Sequence, residues 1–178
     1  MEQDPIFNTD AITQWAYDVG LFGFMNSAWG WPIVESLHFV GLSLLIGTVG
    51  LFDLRMLGFA KSLSLRSLYA FIPLGVAGFV LNAITGSMFV LSASAQYLHN
   101  PSFQLKFTCI LIAGINMIVF YRISAPAVLQ VGAEERVPTY ARIFAVISLA
   151  AWIGVITFGR LLTFFRPPYF WCAWCGLG

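Results

Sequence analysis

Apolar residues fill long stretches of this chain, and polar residues are confined to short breaks between them. Four stretches, 31–58, 68–97, 102–123 and 141–165, are long enough to cross a hydrocarbon core, which takes about 20 helical residues. Lipid offers the backbone no hydrogen bonds, so each stretch is expected to be a helix that satisfies its own polar groups. The breaks are short. The longest, 124–140, holds Pro126, Gly132, Glu134, Glu135, Arg136 and Pro138 and reads as a polar surface loop. Asn100-Pro101 is a turn signal that also opens the third span. Spans joined by tight turns favour an up-down-up-down order. The expectation is an all-α integral membrane protein: an antiparallel four-helix bundle forming a single transmembrane domain over residues 1–178.

Ahead of the first span, residues 11–29 place Ile12, Trp15, Ala16, Val19, Leu21 and Phe22 near one face, the pattern of an N-terminal amphipathic helix. Its polar face has no basic residue, so attraction to lipid charge is not what holds it. A helix lying in the interface and a stub packed across the mouth of the bundle both fit. Residues 1–5 (Met1-Glu2-Gln3-Asp4-Pro5) are acidic and lack the basic region of a secretory signal, so the first span is expected to direct insertion.

Composition agrees with lipid as the solvent. The chain is 59% hydrophobic and 10% charged, where soluble domains carry roughly 25% charge. A net charge of +1 gives no footprint for nucleic acid and leaves the lipid bilayer as the expected partner. The few cations are unevenly placed. Arg55, Lys61 and Arg66 flank the first connection and Arg122, Arg136 and Arg142 the third, while the second connection, 97–101, has none. The N-terminal segment carries Glu2, Asp4, Asp10 and Asp18 and no cation. The positive-inside rule then puts connections one and three in the cytoplasm and both termini outside, in a bacterial inner membrane. Arg160 and Arg166 run against that bias without cancelling it. Trp15, Trp29, Trp31, Trp171 and Trp174 would form an outer aromatic belt.

Small residues mark where helices can approach. Gly75, Gly78, Asn82 and Gly86 share a face of the second span, and Gly47 and Gly50 are expected to act similarly in the first.

Ionisable residues inside a span are costly and are candidates for function. Glu35 and His38 lie one turn apart, about 6 and 10 Å below Trp31 on the helical rise. Lys106 lies about 6 Å below Ser102, and Arg160 about 9 Å below Arg166 in a helix running outward. Three spans therefore bring polar groups to one layer in the outer half, and His99 overhangs it from the second connection. A bundle interior with imidazole and nearby cations is what a b-type haem requires: His38 for the iron, Lys106 and Arg160 for the propionates. His99 is a candidate second ligand; Lys106 or Met88 in the sixth position, or five-coordinate iron on His38 alone, is also open. The same residues fit a quinone pocket. They also fit a cofactor-free polar knot in which Glu35 pairs with Lys106 or Arg160 and His38 donates to a backbone carbonyl.

Asp53 and Arg55, two residues apart, do not face one another and read as interfacial anchors, with Arg66 or Arg142 available to Asp53. Cys109 is alone in its span and reads as packing. Cys172 and Cys175 form a Cys-x-x-Cys pair near the end of the chain, where a disulfide or redox-active thiols are open readings. The pair lacks the His that follows in a c-type haem site and the further ligands of a zinc site.

The run Glu35-Ser36-Leu37-His38-Phe39-Val40-Gly41-Leu42-Ser43, followed by Gly47-Thr48 and 52–58, resembles the opening of a family of uncharacterised bacterial multi-spanning membrane proteins. The segment 100–106, with Gly114-Ile115-Asn116, is similar to that family's third helix. More loosely, a His in the first span with a Lys opening the third resembles haem-binding four-helix membrane protoporphyrinogen oxidases and copper-resistance D-type proteins. That resemblance implies His38 as ligand and Lys106 as its charged partner. The rest of the oxidase signature is missing, and the five Met are scattered rather than clustered as for copper. The expectation is a membrane electron-transfer protein, or a subunit of a larger redox complex or homo-oligomer, binding haem b or linked to quinone. A scaffold or assembly subunit without cofactor and a quinone-coupled thiol oxidase using Cys172 and Cys175 are the alternatives.

Overall fold

Helix accounts for all the regular structure among the described residues, 9–98 and 100–164, of this computed structural model. The helices are α1 (Thr9–Asp18), α2 (Leu21–Met25), α3 (Gly30–Leu57), α4 (Leu65–Tyr69), α5 (Ile72–Ser92), α6 (Ser94–Leu98), α7 (Pro101–Ile123), α8 (Ala125–Val128) and α9 (Thr139–Phe164). Four spans, Gly30–Leu57, Leu65–Ser92, Pro101–Ile123 and Thr139–Thr163, are long and apolar enough to cross a membrane. The chain is an all-α membrane bundle.

Three stretches depart from the sequence pattern, each for a local reason. The amphipathic segment 11–29 is not one helix. Gly20 takes a left-handed conformation, φ 77°, and divides it into α1 and α2. Both pieces fold back on the bundle, as the stub reading anticipated. Ala16 and Met25 are buried, Thr13 Oγ1 meets Ser94 Oγ at 3.0 Å, and the Ser94 hydroxyl donates to the Thr9 carbonyl. The second span, expected over 68–97, is interrupted at both ends. Pro73 has no N–H to donate and its ring crowds the carbonyl of Tyr69, so the chain steps at Ala70–Phe71 between α4 and α5. At Ala93, φ −142° breaks the helix again before α6. The third connection is not merely a surface loop. Ala125, Val128 and Val137 turn inward and join Phe52, Met56, Leu65, Leu68, Phe120, Ala141 and Ala145 in one apolar cluster.

Packing runs in the order α5–α3–α9–α7. α3 and α5 are antiparallel and close: Trp31 meets Phe89, His38 meets Thr85, and Gly41 meets Gly78. A Cβ on Gly78 would lie 2.6 Å from the Gly41 carbonyl oxygen, one on Gly41 would lie 2.8 Å from the Gly78 oxygen, and one on Gly75 would strike Thr48 Oγ1. Bare backbone is therefore required here, since helices in lipid associate through close packing rather than through water exclusion. Gly47 and Gly50 do not share in this, contrary to the sequence expectation. A Cβ on Gly47 would meet nothing within 4 Å, and one on Gly50 only its own helix's Ile46. Gly41 takes that role in α3. α7 and α9 form a second antiparallel pair, in which Cys109 packs against Gly154 and Asn116 Nδ2 donates to the Phe144 carbonyl at 3.0 Å.

The two pairs join through α3 and α9, where Asp53 interacts with Ser148 rather than with Arg66 or Arg142. The backbones of α5 and α7 do not pack closely against each other. At the end holding the first and third connections, buried Arg55 donates to the carbonyls of Leu63 (2.6 Å), Gly132 (3.0 Å) and Glu135 (3.4 Å). It ties those two connections together, a stronger role than an interfacial anchor.

Candidate functional site

The candidate site lies in the half of the bundle nearest α6, and His38 is its centre. The side chain leaves α3 toward α5, beside Gly86. A Cβ on Gly86 would lie 3.6 Å from His38 Cε1, and the imidazole meets the Phe89 ring edge-on with centroids 5.8 Å apart. His38 Nδ1 and Thr85 Oγ1 are separated by 2.7 Å.

The proton on that bond can be assigned from the hydroxyl's other neighbour. Thr85 Oγ1 also lies 2.7 Å from the Leu81 carbonyl, to which it donates along its own helix. A hydroxyl has one proton. With that proton on Leu81, Oγ1 is left to accept from His38 Nδ1–H. The neutral ring then carries its free lone pair on Nε2, which has no hydrogen-bond partner among the described residues. A hydrogen bond at one imidazole nitrogen that fixes tautomer and ring orientation is the usual support for a ligand at the other.

Lys106 enters from the opposite helix pair. Its stem lies along α9 beside Gly159, where a Cβ would stand 3.5 Å from Nζ. Glu35, one turn from His38 on α3, is half-buried and makes no hydrogen bond or ion pair among the described residues. His38 thus bonds a hydroxyl rather than the backbone carbonyl expected for it, and Glu35 makes no ion pair with Lys106 among the described residues. Arg160 is exposed on α9, about 100° round the helix from Gly159. Met88 packs against the cluster of Met25, Val34 and Phe89. His99, and with it the second-ligand expectation, lies outside the described residues, as do Arg166, Trp171, Cys172, Trp174 and Cys175.

The donor set constrains the chemistry. Among the described residues no three His, Cys, Asp or Glu side chains converge on one point, so a bare transition metal, which takes three or four protein ligands, has no set there. One oriented imidazole is enough for a metal that arrives in a macrocycle supplying its own equatorial nitrogens. One turn below, Asn82 Nδ2 and Oδ1 are both buried without partners, close to Gly41.

Sequence reasoning singled out His38, Glu35 and Lys106 but not Thr85, which fixes the tautomer, or Gly159, which lies beside Lys106. Thr85 had a signal: it continues the face of Gly75, Gly78 and Asn82 at helical spacing. No protein-family model matches the chain, and no curated protein or solved structure is similar to it.

Proposed function

We propose that this chain is a membrane electron-transfer protein, or the membrane subunit of a redox complex, that binds b-type haem through His38. The observation that carries the reading is the His38–Thr85 bond, which leaves Nε2 as an oriented donor inside the bundle. When bound, the haem would supply one-electron chemistry at the iron. The chain's own residues do the rest. His38 Nε2 would hold the iron, and Thr85 keeps the ring from turning. Gly86 and Phe89 shape one wall. Lys106 would supply positive charge to the propionates. Glu35 is a charge such a site would keep near water.

The charge bias along the chain supports a reading in which the first and third connections face the cytoplasm of a bacterial cell and the haem layer lies in the outer half of its inner membrane. The visible spectrum of protein purified after expression with haem precursor tests the reading, and Lys106→Ala should weaken haem retention or shift its potential. A folded but colourless wild type would remove it.

The loose α5–α7 seam favours a second reading, a quinol site. A lipid-borne headgroup would enter between those helices, donate a hydrogen bond from its hydroxyl to His38 Nε2 and find Lys106 in the same layer. Binding of a quinol analogue by haem-free protein, lost in His38→Ala, separates the two.

A further inference from the structure

At the opposite end of the bundle, a pocket of about 180 Å³ opens between the first and third connections, many times the roughly 10–15 Å³ that one water requires. Arg55, Lys61, Arg136 and Arg142 line it, with Glu135 as the one carboxylate. We propose that this pocket is a binding site for a phosphate group.

Its floor is prearranged. Arg55 is buried and held by three backbone carbonyls, which engage its Nε and one terminal nitrogen without neutralising its charge. Glu135 is already engaged, since one of its oxygens accepts from the Gly132 amide at 2.9 Å. Lys61, Arg136 and Arg142 form no ion pair or side-chain hydrogen bond among the described residues, and Arg142 Nε is buried with no partner. Four cations thus face one committed carboxylate, and Arg142 still has donors to give. A tetrahedral anion with several acceptor oxygens answers both deficits, because guanidinium groups bind phosphate oxygens through paired N–H donors.

The pocket lies where spans end, at the last turn of α3 and the first turn of α9. That is the depth of lipid headgroups, and basic pockets at helix ends are a recurring mode of anionic-lipid recognition. A phospholipid headgroup and a soluble phosphate share this chemistry and differ in the test.

Purified protein in neutral detergent would be titrated in one arm with phosphatidylglycerol against phosphatidylcholine, followed by native mass spectrometry. In the other arm it would be titrated with inorganic phosphate, followed by thermal midpoint. The expected result is about a tenfold preference for phosphatidylglycerol, or a phosphate-dependent rise in midpoint; which arm responds identifies the source. Arg142→Gln should abolish the response. Should Arg142→Gln fail to fold, the double variant Lys61→Gln/Arg136→Gln, at two exposed positions, serves in its place. Arg122→Gln, an exposed cation outside the pocket, should leave the response intact. No response in either arm, or a loss as large in Arg122→Gln as in the pocket variants, would overturn the proposal.

Discussion

Across the seam between α3 and α5, His38 Nδ1 and Thr85 Oγ1 stand 2.7 Å apart, and the direction of that bond decides which imidazole nitrogen is left to work. Because the Thr85 proton is directed at Leu81, the ring is the donor and Nε2 carries the lone pair. Thr85→Val preserves shape and removes the acceptor. A buried donor left unpaired costs about 1–3 kcal/mol, so the thermal midpoint in detergent should fall, and Thr85→Ser should recover most of the loss. Equal midpoints for wild type and Thr85→Val would show that the bond does not orient the ring.

The glycine stripe makes a paired prediction. Gly78→Ala would force a methyl to within 2.6 Å of the Gly41 oxygen, and overpacking of this kind costs about 1–3 kcal/mol. Gly47→Ala meets open space and should leave the midpoint unchanged or slightly raised, because Ala is the better helix former. Thermal unfolding followed by helical circular dichroism compares the two. The same response at both positions would contradict the close α3–α5 approach.

Much of this fold was legible from hydropathy alone, because lipid imposes one solution on a long apolar stretch. Gly30–Leu57 and Pro101–Ile123 agree with the pattern to within a residue. The failures come from backbone events that hydropathy does not see, the left-handed Gly20 and the step before Pro73. Periodicity found the α5 stripe but not its partner: Gly41 and Gly47 look alike in sequence, and only the crossing point of the helices distinguishes them. The site was half legible. His38 and Lys106 stood out as ionisable residues in lipid, whereas Thr85 is an ordinary hydroxyl until the ring facing it is known.

Arg55 predicts a loop phenotype. Arg55→Met removes the donors to Leu63, Gly132 and Glu135, and hydrogen bonds to a charged group are worth about 1.5–3 kcal/mol. Limited proteolysis should cut the third connection faster in the variant than in wild type. Arg55→Lys should not restore protection, since an ammonium cannot span three carbonyls as a guanidinium does. Wild-type resistance in Arg55→Met would contradict the clamp.

Orientation is tested separately. With the basic connections in the cytoplasm, an alkaline phosphatase reporter fused after Gly178 should be active, and one inserted at Ala133 should be silent. The reverse pattern would invert the bundle and move the His38 layer to the cytoplasmic half.

The most direct measurement is the reduced-minus-oxidised visible spectrum of wild type beside His38→Ala, each expressed with haem precursor and checked for fold. Removing the imidazole removes the bond to iron but leaves every helix able to satisfy its own backbone in lipid. The account predicts Soret and α bands in wild type and none in His38→Ala, with both proteins eluting as the same folded species. A folded wild type without bands, or bands that survive His38→Ala, would contradict it.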